Sequence, residues 1–142
     1  MGKDRIPAEL LELRRIYMGF TASRALLTAN RLELFDHLRT WTEPAALARR
    51  RGLDPRALGI LHDALAGIGV LRKSRKGTYR NTPMATRYLV RGARDYQGDI
   101  IRHASAMWES WSKLDEVVRS GRPAPRSRDL ESFILGMHNL SR

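Results

Sequence analysis

The 142-residue sequence contains no cysteine. That absence excludes disulfides, thiolate zinc sites and cysteine nucleophiles together, and it fits a reducing compartment such as the cytoplasm, where the chain is expected to reside. Long apolar runs are missing as well. No segment suffices to span a bilayer, and the opening "MGKDRIPAELLELRR" has no apolar signal-peptide core. Its Met-Gly start carries Ile6 where a myristoylation signal requires Ser or Thr. Acidic residues are scarce: 15 Asp and Glu stand against 26 Lys and Arg, a formal charge of +11. Such a balance favours a polyanionic partner without deciding the fold. There is no internal repeat and no low-complexity tract, and a chain of this length buries roughly two-thirds of its unfolded surface, enough for one core.

What is present is mostly helical periodicity. Pro7 opens a first helix whose Leu10, Leu11, Leu13, Ile16 and Tyr17 run past Gly19 toward a second, "TASRALLTANRLELFDHL". In the second, Ala22, Ala25, Leu26, Leu27, Ala29, Leu32, Leu34, Phe35 and Leu38 cover most of the circumference. A small domain cannot hide so much apolar surface on one side, which predicts an obligate interface with Tyr17, Phe20, Leu26, Leu27, Leu34 and Phe35 as pairing residues.

A short helix, "TEPAALARRRG", stops at Gly52; Asp54 then caps another, with Pro55 at its first position and Gly69 closing it after Ile68. The pair reads as a helix-turn-helix. "VLRK" and "TYRN", joined by "SRKG", read as a β-hairpin wing, and Thr82-Pro83 opens a helix over "MATRYLV". From Tyr96 to Ser120 a stripe of Ile100, Ile101, Ala104, Met107, Trp108, Trp111, Leu114, Val117 and Val118 predicts the longest helix, ended by Gly121. After the loop "GRPAPRSR" a last helical piece carries Phe133, Ile134 and Met137 on one side. The fold class expected is mainly α: a winged helix-turn-helix-like dimerisation domain with a short hairpin and a long C-terminal helix. Residues 1–92 form the dimerisation helices and winged core, and 93–142 form a long helix and connector.

A helix that reads DNA needs Arg, Lys, Asn, Gln or Ser on its outer face. Assigning Ala57, Leu58, Ile60, Leu61, Ala64, Leu65 and Ile68 to the core leaves Arg56, Gly59, His62, Asp63, Ala66 and Gly67 outside, one cation beside one carboxylate. Nucleic acid is therefore not the expected partner, and the helix-turn-helix reads as a packing scaffold.

The order of "IYMGFTASRALLTANRLELFDHL", "GLDPRALGILHDALAGIGVL", "YRNTPMATRYLV", "GDIIRHASAMWESWSKLDEVVRSG" and "FILGMHNLSR" resembles the N-terminal dimerisation domain of bacterial S-adenosylmethionine-dependent O-methyltransferases of the caffeate and acetylserotonin type. The resemblance covers nearly the whole chain. It implies a homodimer of interlocked winged-helix-like domains, each capping the acceptor pocket of a catalytic domain. That domain, with its glycine-rich cofactor turn and general-base histidine, lies outside this sequence. The pair Gly67 and Gly69 in "AGIGVL" follows a helix and reads as a C-cap, so neither S-adenosylmethionine binding nor catalysis is expected of these residues.

Asp99 and His103, four apart on the long helix, could form a small acid/base or metal pair, although that spacing is more often an ordinary helix-surface contact, and His37, His62 and His138 show no metal-ligand spacing. The resemblance implies that Met107, Trp108 and Trp111 face the acceptor, that Phe133 and Met137 match a Phe-x-x-x-Met stretch beside it, and that Asn139 offers a polar contact. Such a wall suits a small aromatic acceptor. Two other readings stay open: a winged-helix transcription regulator, favoured by charge and hairpin, and a stand-alone module that pairs with a separate catalytic subunit.

Overall fold

The computed structural model describes residues 6–124 and 130–140, excepting the side chains of 130–133 and 140. Helix α1, Ala8–Arg31, is continuous through Gly19, where two helices were expected. A lone glycine costs about 1 kcal/mol against alanine, too little to break 24 residues of helix. The helix ends at Leu32, and Glu33 takes a left-handed conformation, φ 56°, leading into a 3-10 turn at Leu34–His37. Glu33 is anchored there by Arg91, 2.5 Å away, which holds its carboxyl below the usual range.

Helices α2 (Pro44–Arg51) and α3 (Pro55–Gly67) form the helix-turn-helix. Gly52, φ 65°, ends α2, and Asp54 caps α3 by accepting from the Ala57 amide at 2.7 Å. Strands β1 (Leu71–Lys73) and β2 (Tyr79–Asn81) pair antiparallel with Leu71 opposite Asn81, Arg72 opposite Arg80 and Lys73 opposite Tyr79. Their turn carries Gly77 at φ 75°, the left-handed residue that a three-residue hairpin loop requires. Thr42 adds a bridge to Tyr79 through two mutual 2.9 Å backbone bonds. Thr82 caps α4 (Pro83–Leu89).

The core gathers Leu34, Phe35, Leu38, Leu47, Leu65, Tyr79 and Ala85. Each fully buried Leu or Phe contributes roughly 1.5–3 kcal/mol. Leu34 and Phe35, expected among the pairing residues, are among the largest fully buried side chains of the chain itself, and Leu27 is buried as well. Leu26 is half-buried against this core.

The long C-terminal helix is divided. Helix α5 spans Gly98–Trp111 and α6 spans Leu114–Ser120. At the break the Ser112 hydroxyl donates to the Glu109 carbonyl at 2.7 Å, a back-bond that competes with the helical ladder. Helix α1 is thus longer than either. Helix α7, Leu130–Leu140, packs along α5, with Gly136 so close that a Cβ there would lie 3.2 Å from the Ile100 Cα.

Candidate functional site

Helix α1 runs antiparallel to α5. At one end the Asn30 side-chain amide donates to the Gly98 carbonyl at 2.9 Å in a buried bond. At the other, Phe20 meets Trp108 with ring centroids 6.4 Å apart, and the Arg24 guanidinium lies 5.2 Å from the Trp108 ring centroid. Arg24 and Phe20 lie one turn apart, so one face of α1 fixes the indole from two sides.

Beside Trp108 lies an open groove of about 420 Å³ lined by Phe20, Ala104, Met107, Trp108, Trp111 and Ser112. Its volume falls within the range of small-molecule sites, and its lining is mostly apolar, with a single hydroxyl from Ser112. The spacing 104, 107, 108, 111 brings four of these residues onto one face of α5. Trp111 is 66% exposed, so the groove has a floor and one wall and is open on the remaining side.

The structure thus brings Met107, Trp108 and Trp111 together and adds Phe20, which sequence reasoning had placed only among pairing residues. Met137 and Asn139 do not line this groove among the described residues. Met137 is exposed on α7. Asn139 is buried and fastens α7 to the start of α5: its Oδ1 accepts from the Ile100 amide at 3.3 Å, and its carbonyl accepts from the Gln97 side chain at 3.3 Å. Its position is that of a clip. Phe133 falls within α7, and its side chain lies outside the described residues.

The first half of α1 projects from the body. Every described residue from Ile6 to Phe20 is exposed, among them Leu10, Leu11, Leu13, Ile16, Tyr17 and Met18, with Ile16 at 70%. Tyr17 and Phe20 are thus available to a partner. From Leu10 to Met18 these apolar side chains stay exposed among the described residues.

Helix α3 sits differently from its sequence reading. His62 points inward, fully buried, and Ile60 points outward, 56% exposed, together with Ala57, Ala64 and Ile68. The outer face is therefore more apolar than expected and still poor in base-reading groups. Asp63 accepts from the Lys73 ammonium at 2.5 Å and the Tyr79 hydroxyl at 2.7 Å, tying the wing to α3. Those bonds hold its carboxyl below the usual range, while burial pushes the Tyr79 phenol up. Gly67 and Gly69 terminate this helix, Gly69 at φ 78°. Among the described residues no three His, Asp or Glu side chains converge as metal ligands, and no helix is long and apolar enough to cross a membrane.

Residues 15–91 match the family described as the O-methyltransferase dimerisation domain. The chain belongs to this family. The tetracenomycin polyketide synthesis 8-O-methyl transferase TcmO of Streptomyces glaucescens is 37% identical over 119 residues, covering 82% of this chain and 34% of TcmO. Our chain thus spans about a third of that relative's length. An O-methyltransferase family protein from Burkholderia thailandensis superposes with TM-score 0.79 at 30% identity, over 93% of this chain and 42% of that one. The structure of PigF with SAH superposes with TM-score 0.70 at 29% identity, over 77% and 33%. Of the exposed half of α1, only the stretch from residue 15 onward lies within the matched range.

Proposed function

We propose that this chain is the pairing and acceptor-capping part of an S-adenosylmethionine-dependent O-methyltransferase acting on a small, flat aromatic hydroxyl compound. The observation that carries the reading is the projecting half of α1, where Leu10, Leu11, Leu13, Ile16, Tyr17 and Met18 are exposed between the charged Glu9, Glu12, Arg14 and Arg15, an apolar surface that a second copy would cover to give a homodimer. The adjoining groove of Phe20, Met107, Trp108 and Trp111 supports the rest: an apolar slot with aromatic walls orients a ring by stacking. Oxygen as the methylated atom is supported by the activity for which TcmO is named, and the cofactor by the SAH of PigF.

Among the described residues no strand leads through a glycine turn into a helix N-terminus, so the cofactor is assigned to a catalytic domain in the same chain or in a separate one. That domain also supplies the base for the acceptor hydroxyl. Two measurements test the reading: light scattering of this chain, and a methyl-transfer assay of the full-length enzyme with labelled S-adenosylmethionine and a panel of phenols. A dimer together with labelled aryl ethers supports it. A monodisperse monomer at micromolar concentration, or transfer to none of the phenols, overturns it.

A further inference from the structure

The outer face of the wing carries a row of three side chains. Arg72 stands directly opposite Arg80 in the β1–β2 ladder. Because Thr42 pairs with Tyr79 in an antiparallel bridge, Trp41 stands opposite Arg80 on its other side, and its indole packs under the Arg80 guanidinium at 4.6 Å. Directly opposed residues share a face, so Trp41, Arg80 and Arg72 form one row across roughly 10 Å.

Like charges placed directly opposite each other are unfavourable, and neither member of this pair has an ion pair among the described residues. From Ala64 to Arg94 the sequence holds eight Lys and Arg and no Asp or Glu. Lys73, Arg87 and Arg91 reach carboxylates from outside that stretch. Arg75 and Lys76 at the turn likewise have no ion pair among the described residues. Trp41 is 44% exposed beneath the guanidinium it supports.

We propose that this row is a docking site for a carboxylate-rich segment of another protein. Two guanidinium forks side by side match carboxylates bidentately, and one of them is already oriented by the indole, so less freedom is lost on binding. Arg and Trp are the residues that carry the energy of protein interfaces. A duplex fits less well, because it needs the helix beside the wing as well, and that helix offers Ile60, Ile68 and Asp63. The row spans several carboxylates, more than a single small anion would engage.

Fluorescence anisotropy of a short fluorescein-labelled peptide of alternating Glu and Gly, titrated with the whole chain at low salt, tests the site. Saturable binding is expected, weakened about tenfold or more by Arg72→Ala/Arg80→Ala and similarly by Trp41→Ala, which leaves the charge unchanged. Arg119→Ala/Arg122→Ala, which removes the same charge from α6 and its C-terminal flank, is expected to leave binding intact. Should Trp41→Ala unfold, Arg80→Lys takes its place: it keeps the charge and loses the planar fork, and weakening is again expected. Equal weakening by the Arg119/Arg122 pair, or undiminished binding in Trp41→Ala or Arg80→Lys, overturns the proposal. Tighter binding of duplex DNA than of the peptide at the same salt overturns it in favour of a nucleic acid.

Discussion

The rings of His62 and Tyr79 lie 5.0 Å apart, and neither imidazole nitrogen has a hydrogen-bond partner in the described structure. Burial from solvent lowers the His62 pKa from 6.5 to about 4, against a smaller opposing pull from Asp63. In the unfolded chain the imidazole takes a proton near pH 6.5, while in the fold it stays neutral to about pH 4. Between those values the unfolded state binds more protons, so stability is full above pH 6.5 and falls as pH drops toward 4, by roughly 3 kcal/mol in all. Thermal melts of wild type and His62→Leu at pH 7, 6 and 5 check this. The wild type should lose stability across the series and the variant should lose less, while matching or exceeding the wild type at pH 7 because two unsatisfied nitrogens are gone. Parallel pH profiles for the two proteins would show that His62 is not the sensor.

His62 also marks where the sequence misled. Helix α3 is apolar around most of its circumference, so periodicity alone left its phase ambiguous, and a polar label sent His62 outward and Ile60 inward. Cap residues were legible because capping is local: Asp54-Pro55, Thr82-Pro83, Gly52 and Gly121 each end or begin a helix where their chemistry demands. The break at Ser112 was hidden, since an apolar stripe continues through it and only a hydroxyl back-bond interrupts the ladder. The spacing of Met107, Trp108 and Trp111 showed only a shared helix face, as packing would also require; that this face lines a groove was implied by the family resemblance alone. The place of Phe20 in it depends on how α1 crosses α5, which no local pattern records.

The proposed pairing through α1 should be separable from folding. Leu13 and Ile16 are exposed in the single chain, so Leu13→Glu/Ile16→Glu buries no charge in the core and should yield a folded monomer. Phe35→Ala empties a core site and should cost about 3–5 kcal/mol, unfolding the chain whatever its partner. Light scattering beside far-UV circular dichroism distinguishes the two. A stable dimer of the α1 double variant would place the interface elsewhere.

Close packing of α7 on α5 rests on Gly136. A Cβ there would meet the Ile100 Cα at 3.2 Å, backbone that cannot swing aside. Gly136→Val should lift α7 and strain the Asn139 bond to the Ile100 amide, with a loss of about 1–3 kcal/mol typical of overpacking. Urea unfolding measures it. An unchanged midpoint would mean that α7 contributes little to the fold.

The groove makes the sharpest demand on the proposed activity. If the acceptor ring stacks on the α5 face, Trp108→Ala and Met107→Ala remove its floor without touching the cofactor, so the loss belongs to acceptor binding and alignment. In the full-length enzyme, acceptor KM should rise on the order of tenfold or more for Trp108→Ala, with S-adenosylmethionine affinity unchanged. Phe20→Ala should act in the same direction, and Phe20→Leu, which keeps apolar bulk, should restore part of the effect. Met137→Ala separates two versions of the site. On the groove lining among the described residues it should be silent, whereas a wall extended along α7 by the catalytic domain would make it raise KM as well. Steady-state kinetics with two phenols of different width decides between them. If Trp108→Ala and Phe20→Ala both kept wild-type KM for both phenols, the groove would be packing surface and the domain would serve pairing alone.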